Sequence, residues 1–211
     1  GGAPPLPSVS ANPVASKSNR AKDRVVFIGA STGGVEALTK VISALPVGAP
    51  PVIVTQHMPA KFTASFAQRL NGKSAITAVE AQDGMAVEPG HVYLAPGGVS
   101  HLEVQGTSRP ICRLTDADPV NGHRPSVDVL FRSAVAFGPR AVAVLLTGMG
   151  NDGAAEIKSM RDAGALTIGQ NEATSVVYGM ARVAMENNGI ERELPLPDIA
   201  TAVLEHCGSY Y

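Results

Sequence analysis

The stretch Val25-Val26-Phe27-Ile28-Gly29-Ala30-Ser31-Thr32-Gly33-Gly34 decides how the fold of this chain is interpreted. Its apolar first half predicts a buried strand, its glycines predict a tight turn, and Val35–Leu45 predicts a helix directly behind that turn. A unit of this kind exposes the Ser31 hydroxyl beside backbone N–H groups and a helix N-terminus. The Gly-x-Ser-x-Gly spacing is typical of acyl-transfer nucleophiles, although dinucleotide-binding loops have similar glycines.

Composition and charge limit the classes of function. The 211 residues are 45% hydrophobic and 17% charged, which suits one large α/β domain or two small ones. A net charge of −1 argues against nucleic-acid binding, and no apolar stretch approaches the roughly 20 residues that cross a bilayer. No signal-peptide pattern is found, and Cys112 and Cys207 fit two reduced thiols. We therefore expect a cytoplasmic protein without membrane insertion.

The chain divides into three parts. Residues 1–23 combine several prolines with serine, alanine and asparagine, and few of their side chains can build a core, so we interpret them as a flexible interdomain linker. Residues 24–207 carry a repeated β–α pattern and are expected to form the functional domain. Residues 208–211 are interpreted as a C-terminal tail.

Short apolar strands and longer helices alternate through most of the domain. Strands are expected at Val25–Ile28, Val52–Thr55, Ala141–Leu146 and Leu166–Ile168. Helices are expected at Val35–Leu45, Lys61–Leu70, Ser126–Phe137, Ala154–Ala163, Ser175–Asn187 and Asp198–Cys207. Ser126 is expected to be a helix N-cap, and Gly138-Pro139 a helix stop.

The middle of the domain follows a different pattern. His91–Ala95, His101–Gln105 and Ile111–Leu114 alternate in the manner of antiparallel strands and are separated by glycines, so they predict a small hairpin insertion. The predicted fold is a three-layer α/β/α sandwich: a doubly wound, mainly parallel sheet with a small antiparallel hairpin insertion. Reactive groups are expected outside the carboxyl ends of its strands.

Three loops that follow three predicted parallel strands each carry a reactive side chain: Ser31, His57 and Asp152. A serine hydroxyl needs a neighbouring base to take its proton during attack, and an imidazole suits that task near neutral pH. A carboxylate behind the imidazole fixes its tautomer and stabilises the imidazolium. The chain order Ser…His…Asp differs from the Ser…Asp…His order of α/β-hydrolases.

Each of these residues also has a structural explanation. Ser31 could cap the helix that follows it, His57 could pack in the core, and Asp152 could cap a helix that starts at Ala154. Three triad-type residues at three separate strand ends are an uncommon coincidence, so we favour catalysis.

The remaining histidines give weaker signals. His91 and His101 are expected to have solvated or packing roles, His123 lies on a polar loop that we expect at the substrate cleft, and His206 is expected to be inert. The chain has no H-x-x-x-H pair, no H-E-x-x-H motif and no cysteine cluster, so we assign no metal and no cofactor.

Two alternative functions remain open at this point. The Gly29–Gly34 turn also fits a dinucleotide-binding protein, but Gln56-His57 stands where such a fold places an acidic residue after its second strand. The Tyr-x-x-x-Lys pair of short-chain dehydrogenases is absent, and its nearest counterpart is Tyr178–Arg182. The other alternative is a binding module without catalysis, which a serine-directed fluorophosphonate probe would distinguish.

A series of motifs runs in order along residues 24–207: Ile28–Gly34, Gln56–Pro59, Phe62–Ala67, Ala95–Gly97, His123–Asp128, Leu146–Gly153 and Thr174–Val177. In this order they resemble the catalytic domain of the bacterial chemotaxis protein-glutamate methylesterases, the CheB family. Two small departures are Ala181 after Met180, where the family usually has proline, and Asn171, where aspartate is common. Neither touches the proposed triad.

The resemblance implies an enzyme that hydrolyses glutamate γ-methyl esters and deamidates particular glutamines on the cytoplasmic helices of chemoreceptors. It implies that Ser31 is the nucleophile, His57 the base and Asp152 its partner. Thr32 and Met149 match family positions around the active site. We expect a backbone N–H in the Met149 loop, together with that of Thr32, to bind the oxyanion.

The resemblance also implies a regulatory partner. The family normally carries an N-terminal receiver domain of the two-component type, which blocks the active site until an aspartate in it is phosphorylated. We expect that domain to precede the predicted linker in the full-length protein. We also expect Arg124 to steer an acidic receptor surface into the cleft.

Overall fold

A parallel sheet forms the centre of the molecule. The computed structural model describes residues 23–208, so the predicted linker except Asp23, and residues 209–211 of the predicted tail, lie outside the described residues. The strands of the sheet are β1 (Val25–Ala30), β2 (Val52–Gln56), β3 (Thr77–Glu80), β4 (His91–Leu94), β7 (Ala141–Leu145), β8 (Leu166–Gln170) and β9 (Arg192–Leu194). Their order is β3-β4-β2-β1-β7-β8-β9, and every neighbouring pair is parallel. Strands β5 (His101–Gln105) and β6 (Ile111–Thr115) form a separate antiparallel ribbon.

Helices cover both faces of the sheet. They are α1 (Gly34–Ser43), α2 (Ala60–Lys73), α3 (Val127–Ala134), α4 (Ala154–Asp162), α5 (Met180–Glu186) and α6 (Leu196–Cys207), with short 3₁₀ segments at Val135–Arg140 and Glu172–Thr174. Across residues 23–208, no helix has both the length and the apolar character that a membrane crossing requires.

Two cores lie on opposite faces of the sheet because side chains alternate along each strand. Val26 and Ile28 of β1 pack into one core with α1, α2 and α6. Val25 and Phe27 pack into the other with α3, α4, α5 and the ribbon. Phe27 is completely buried, and burying a side chain of this size stabilises the fold by roughly 1.5–3 kcal/mol. The predicted three-layer sandwich is therefore confirmed.

The chain leaves β1 and β7 toward opposite faces of the sheet. Helix α1 follows β1 and buries Leu38 in the first core, whereas α4 follows β7 and buries Ile157 in the second. Because β1 and β7 are neighbours, the two loops separate and leave a crevice at the carboxyl edge, the usual place for a site in a doubly wound sheet.

The middle of the domain corrects one prediction. His91–Ala95 was expected to be an antiparallel strand of the insertion, but His91–Leu94 lies in the main sheet, parallel to β2 and β3. Among the strands of residues 23–208, only β5 and β6 pair in an antiparallel manner. The alternating pattern of His91–Ala95 was interpreted as antiparallel, but a parallel strand near the edge of a sheet, as β4 is, can also be less uniformly apolar. Strand β3, next to it at the edge, was not predicted.

A second correction concerns the predicted helix Ser175–Asn187. Of this range, only Met180–Glu186 is helical; residues 175–179 form an irregular segment that passes the end of β7, where Tyr178 makes an isolated parallel bridge with Gly148. The Val177 N–H donates to Thr147 Oγ1 at 3.0 Å, and the Gly148 N–H donates to the Val177 carbonyl at 3.0 Å. These tertiary hydrogen bonds, together with the β-branched Val176-Val177 pair, override the helical pattern.

The two helix-end predictions are confirmed. Ser126 is the N-cap of α3, and its hydroxyl accepts a hydrogen bond from the Val129 N–H. Gly138 has φ 53° and ψ −129°, which interrupts the helical backbone just before Pro139.

Gly33 provides a stability test of the turn after β1. Its φ is +80°, and a methyl group on it would lie 2.6 Å from Cβ and Cγ2 of Val176, whereas Gly48 has the same φ with no atom nearby. Gly48→Ala should lower the free energy of unfolding by about 1 kcal/mol through backbone strain alone. Gly33→Ala should lower the free energy of unfolding by about 1–3 kcal/mol more than Gly48→Ala does, because its methyl group also collides with Val176. Equal losses in urea unfolding of the two variants would contradict this steric account.

Candidate active site

Ser31 lies at the first position of a tight turn between β1 and α1. The Gly34 N–H donates to the Ser31 carbonyl at 2.7 Å, and Gly33 has φ 80° and ψ 0°, as at the third position of a type II turn. The Ser31 N–H donates to the Thr147 carbonyl at 3.0 Å, which ties the turn to the end of β7. Ser31 is therefore half-buried at the carboxyl end of β1, beside the end of β7.

His57 lies beside this turn because β2 is the neighbour of β1. Ala30 pairs with Gln56, and the His57 N–H donates to the Ala30 carbonyl at 3.1 Å. The amide nitrogen of Gln56 donates to the carbonyls of Ser31 at 2.9 Å and His57 at 3.0 Å. One buried side chain thus links the backbones of both residues, a role that sequence reasoning missed.

The imidazole of His57 contacts the carboxylate of Asp152. His57 Nε2 donates to Asp152 Oδ2 at 2.7 Å, and the two side chains are 9% and 1% exposed. Because an ionised carboxylate only accepts, Nε2 carries the proton and the neutral ring presents a lone pair at Nδ1. Nδ1 is buried and has no partner among residues 23–208, and no hydrogen bond joins it to Ser31.

The carboxylate of Asp152, in the loop after β7, lies at the N-terminus of α3 and accepts hydrogen bonds there. Its Oδ1 accepts from Ser126 Oγ at 2.7 Å and the Asp128 N–H at 3.1 Å, while Oδ2 accepts from the Val127 N–H at 2.7 Å. The proposed capping role toward Ala154 is therefore wrong: Gly153 is the N-cap of α4, and Asp152 serves another helix. Burial raises the pKa of Asp152, but hydrogen bonds from His57, Asn121, Ser126 and Val127 outweigh it and lower that pKa to about 2.

A second buried carboxylate lies next to Asp152. The amide nitrogen of Asn121 bridges the two, at 2.7 Å from Asp128 Oδ2 and 3.0 Å from Asp152 Oδ1. Asp128 Oδ1 also accepts from the Glu156 N–H at 2.9 Å. Burial raises the pKa of Asp128 despite these donors. Sequence reasoning missed both Asn121 and Asp128, and the only available signal was the Asn-Gly pair at 121–122, which is typical of a tight turn.

His123 lies against the candidate base. Its ring stacks on that of His57, with centroids 3.6 Å apart and planes inclined by 6°. Burial, followed by the proximity of His57, lowers the pKa of His123. His101 is buried and accepts from the Ser126 N–H at 3.0 Å, so it has a packing role that fixes the start of α3.

The predicted oxyanion groups lie in two loops: Thr32 follows Ser31 in its own turn, and Met149 lies in the loop after β7. The Thr32 carbonyl accepts from Thr147 Oγ1 at 2.9 Å, while no residue of the described range accepts from the N–H of Thr32 or Met149. The side chain of Met149 is 67% exposed. Neither N–H group is therefore paired within residues 23–208, and their oxyanion role stays a prediction.

The steering role of Arg124 stays a prediction, and the structure shows which groups its side chain contacts. Its Nη1 donates to the carbonyls of Asp116 and Ala117 at 3.3 Å each, and Nε is buried without a partner within residues 23–208. The guanidinium is therefore anchored to the segment that follows β6. Among the described residues, no group of three His, Cys, Asp or Glu side chains is arranged to hold a metal ion.

Comparisons with known proteins give matches over most of the chain. A family model described as CheB methylesterase matches residues 26–203. The crystal structure of the Thermotoga maritima CheB methylesterase catalytic domain superposes with a TM-score of 0.83 at 37% identity, covering 86% of this chain and 97% of that chain.

Curated relatives are longer than this chain. The protein-glutamate methylesterase/protein-glutamine glutaminase of Agrobacterium fabrum is 54% identical over 202 residues, which cover 95% of this chain and 58% of the relative. Enzyme 1 of that name from Rhizobium johnstonii is 57% identical over 183 residues, covering 86% and 53%. The chain thus spans a little over half the length of these relatives.

The hydrogen bonds to Asp152 predict an acid-dependent loss of stability. Its pKa is lowered from 3.8 to about 2 in the folded protein, which corresponds to about 2 kcal/mol. Because the folded-state pKa lies below the unfolded one, this contribution is present above about pH 4 and is lost as the pH falls toward 2. We therefore expect the free energy of unfolding of the wild type to exceed that of Asp152→Asn above about pH 4, and this difference to shrink as the pH falls toward 2. Urea unfolding of both proteins at several pH values measures it. A stability difference that does not change with pH would contradict the assignment.

Proposed function

Because this chain belongs to the CheB methylesterase family, we propose that residues 24–207 form a serine hydrolase domain that demethylates glutamate γ-methyl esters and deamidates specific glutamines on the cytoplasmic domains of chemoreceptors. The observation that carries the proposal is the 2.7 Å hydrogen bond between His57 and Asp152, next to the turn that exposes Ser31. The names of the curated relatives support the choice of substrate.

In the first half of the reaction, His57 acts through Nδ1. Asp152 engages Nε2, so Nδ1 takes the proton of Ser31 Oγ as the oxygen attacks the ester carbonyl carbon. The carboxylate of Asp152 stabilises the imidazolium that forms. The N–H groups of Thr32 and Met149 bind the oxyanion of the tetrahedral intermediate, because they are otherwise unused and lie on the loops that flank Ser31.

The second half releases the products. Collapse of the intermediate breaks the carbon–oxygen bond to the methoxy group, and His57 gives its proton to the departing methanol. Water then attacks the carbonyl carbon of the acyl-Ser31 ester while His57 takes a proton from the water. The bond between that carbon and Ser31 Oγ breaks as His57 returns the proton to Oγ, which regenerates Ser31 and frees the glutamate side chain as a carboxylic acid that ionises. With a glutamine side chain the same steps release ammonia in place of methanol.

The surface around Ser31 suits a substrate presented on another protein. Met149 is 67% exposed and Val176 is 71% exposed, and they belong to the two segments that lie beside the Ser31 turn. An open apolar rim can contact a folded helix, whereas a closed pocket would exclude it. Arg124, next to the residue that stacks on His57, adds positive charge for an acidic receptor surface.

We also propose regulation by a receiver domain in the full-length protein. The greater length of the curated relatives supports a further domain. Phosphorylation of that domain would uncover the Ser31 site. The reaction would take place in the cytoplasm, where the receptor helices lie.

The two alternative functions are less consistent with the geometry. A dinucleotide-binding turn needs free N–H groups for a pyrophosphate, but the Gly34 N–H is used within the turn, and the Gln56 side chain packs against Gly34. A binding module without catalysis does not require a base held by a buried carboxylate.

Replacement of Ser31 tests the reaction directly. Ser31→Ala should reduce methanol release from a methylated receptor cytoplasmic fragment by about 10⁴-fold or more, and should reduce ammonia release equally, because both reactions need the same nucleophile. A fluorophosphonate probe should label the wild type but not the variant. The exposed residue Ser65 offers a control, since Ser65→Ala should leave both readouts unchanged. Normal methanol release from Ser31→Ala would refute the mechanism.

Replacement of Asp152 tests the orientation of the base. Asp152→Asn should lower kcat by about 10⁴-fold, because an amide that donates to Nε2 places the ring proton on Nδ1, where Ser31 needs an acceptor. The assay belongs near pH 7, with circular dichroism to confirm folding. A variant that is folded yet fully active would show that Asp152 has no catalytic role.

A further inference from the structure

A two-residue turn places the side chains of Asn121 and His123 against the hydrogen-bonded pair His57–Asp152. Val120 and His123 exchange backbone hydrogen bonds, with N–O distances of 3.0 and 2.9 Å. The residues between them, Asn121 and Gly122, have φ values of 52° and 78°, and two positive φ angles are the signature of a type I′ turn. The Asn-Gly sequence favours this turn strongly, so the positions of the flanking side chains are well determined.

Asn121 acts on the carboxylate end of the pair. Its amide donates to Asp152 Oδ1 at 3.0 Å and to Asp128 Oδ2 at 2.7 Å, so both N–H bonds of one amide lie between two buried carboxylates. Without that amide the two carboxylates would face each other with fewer donors, and Asp152 would no longer be held in one orientation from this side.

His123 acts on the imidazole end of the pair. Its ring lies parallel to that of His57 at 3.6 Å and covers one face of the base. Rotation of the His57 ring out of its plane would collide with His123, so the stack restricts the direction of the Nδ1 lone pair. It also keeps water from that face of the ring.

From these contacts we infer that the Val120–His123 turn is a positioning element for the catalytic base, in which Asn121 orients Asp152 and His123 fixes the plane of the His57 ring. The inference rests on the proposed function of Ser31, His57 and Asp152. A base that is free to tilt reaches its attack geometry less often, and small misplacements cost up to about 100-fold in rate. The rate of the chemical step should therefore depend on this turn, whereas substrate binding should not.

Variants of His123 provide the main test. His123→Ala should lower kcat for methanol release by about 10–100-fold with KM close to the wild-type value, because the face of the base is uncovered. His123→Phe should restore kcat to within about threefold of the wild type, since a flat ring of similar size still stacks. His91→Ala is a matched control: His91 is also half-exposed, but it bonds the Pro89 carbonyl and should not affect the rate.

Variants of Asn121 test the other end of the turn. Glycine accepts the positive φ of this position, so Asn121→Gly removes the amide without straining the turn and should lower kcat by about tenfold at unchanged KM. Asn121→Asp keeps the shape but adds a third carboxylate, and it should lower both kcat and the melting temperature further. Thermal unfolding separates these effects from loss of the fold.

The outcomes distinguish this inference from the proposed function. If the wild type releases methanol and His123→Ala matches it, or changes only KM, the positioning role is refuted. Failure of His123→Phe to recover kcat would also refute it. If the wild type releases no methanol, the substrate assignment fails, and the rate at which a fluorophosphonate labels Ser31 becomes the readout. A labelling rate that is lower in His123→Ala and restored in His123→Phe supports the positioning role, and equal rates overturn it.

Discussion

The buried carboxylate of Asp152 is the group on which the rest of the site depends. A carboxylate taken out of water is costly unless donors surround it, and here the donors come from three separate segments: the loop after β2, the turn at residues 120–123 and the first turn of α3. The same oxygens satisfy the N-terminus of α3 and orient His57. Packing of that helix and orientation of the base are therefore not independent, and a change in one alters the other.

The sequence predicted the centre of the fold better than its edges. Strands β1 and β7 are buried on both faces, so their continuous apolar runs identify them. Strands β3 and β9 are short and partly exposed, and they pair in the sheet because their neighbours offer a free edge rather than because their own residues form a strand pattern. Residues 175–179 follow the same rule, since the hydrogen bonds that Val177 makes with Thr147 and Gly148 hold this segment out of the helix.

The site was predictable only where the sequence position determines the location. Ser31, His57 and Asp152 each follow a parallel strand, and such residues meet at one edge of the sheet. Asn121 and Asp128 follow no strand of the main sheet; the turn at residues 120–123 brings Asn121 to Asp152, and the packing of α3 brings Asp128 there. The sequence identified Ser126 correctly as a cap, yet its second contact, with Asp152, depends on a partner 26 residues away.

The strand order explains which nitrogen of the base faces the nucleophile. In the proposed mechanism, β1 carries the nucleophile and lies between β2, which carries the base, and β7, which carries the acid. The backbone of His57 pairs with that of Ala30, and because Asp152 engages Nε2, Nδ1 is the ring nitrogen that the proposed mechanism assigns to Ser31. The farther nitrogen, Nε2, spans the turn and reaches Asp152. Chymotrypsin uses the two nitrogens in the opposite sense. Either arrangement serves general-base catalysis, because a carboxylate that holds the N–H of one nitrogen leaves the lone pair on the other.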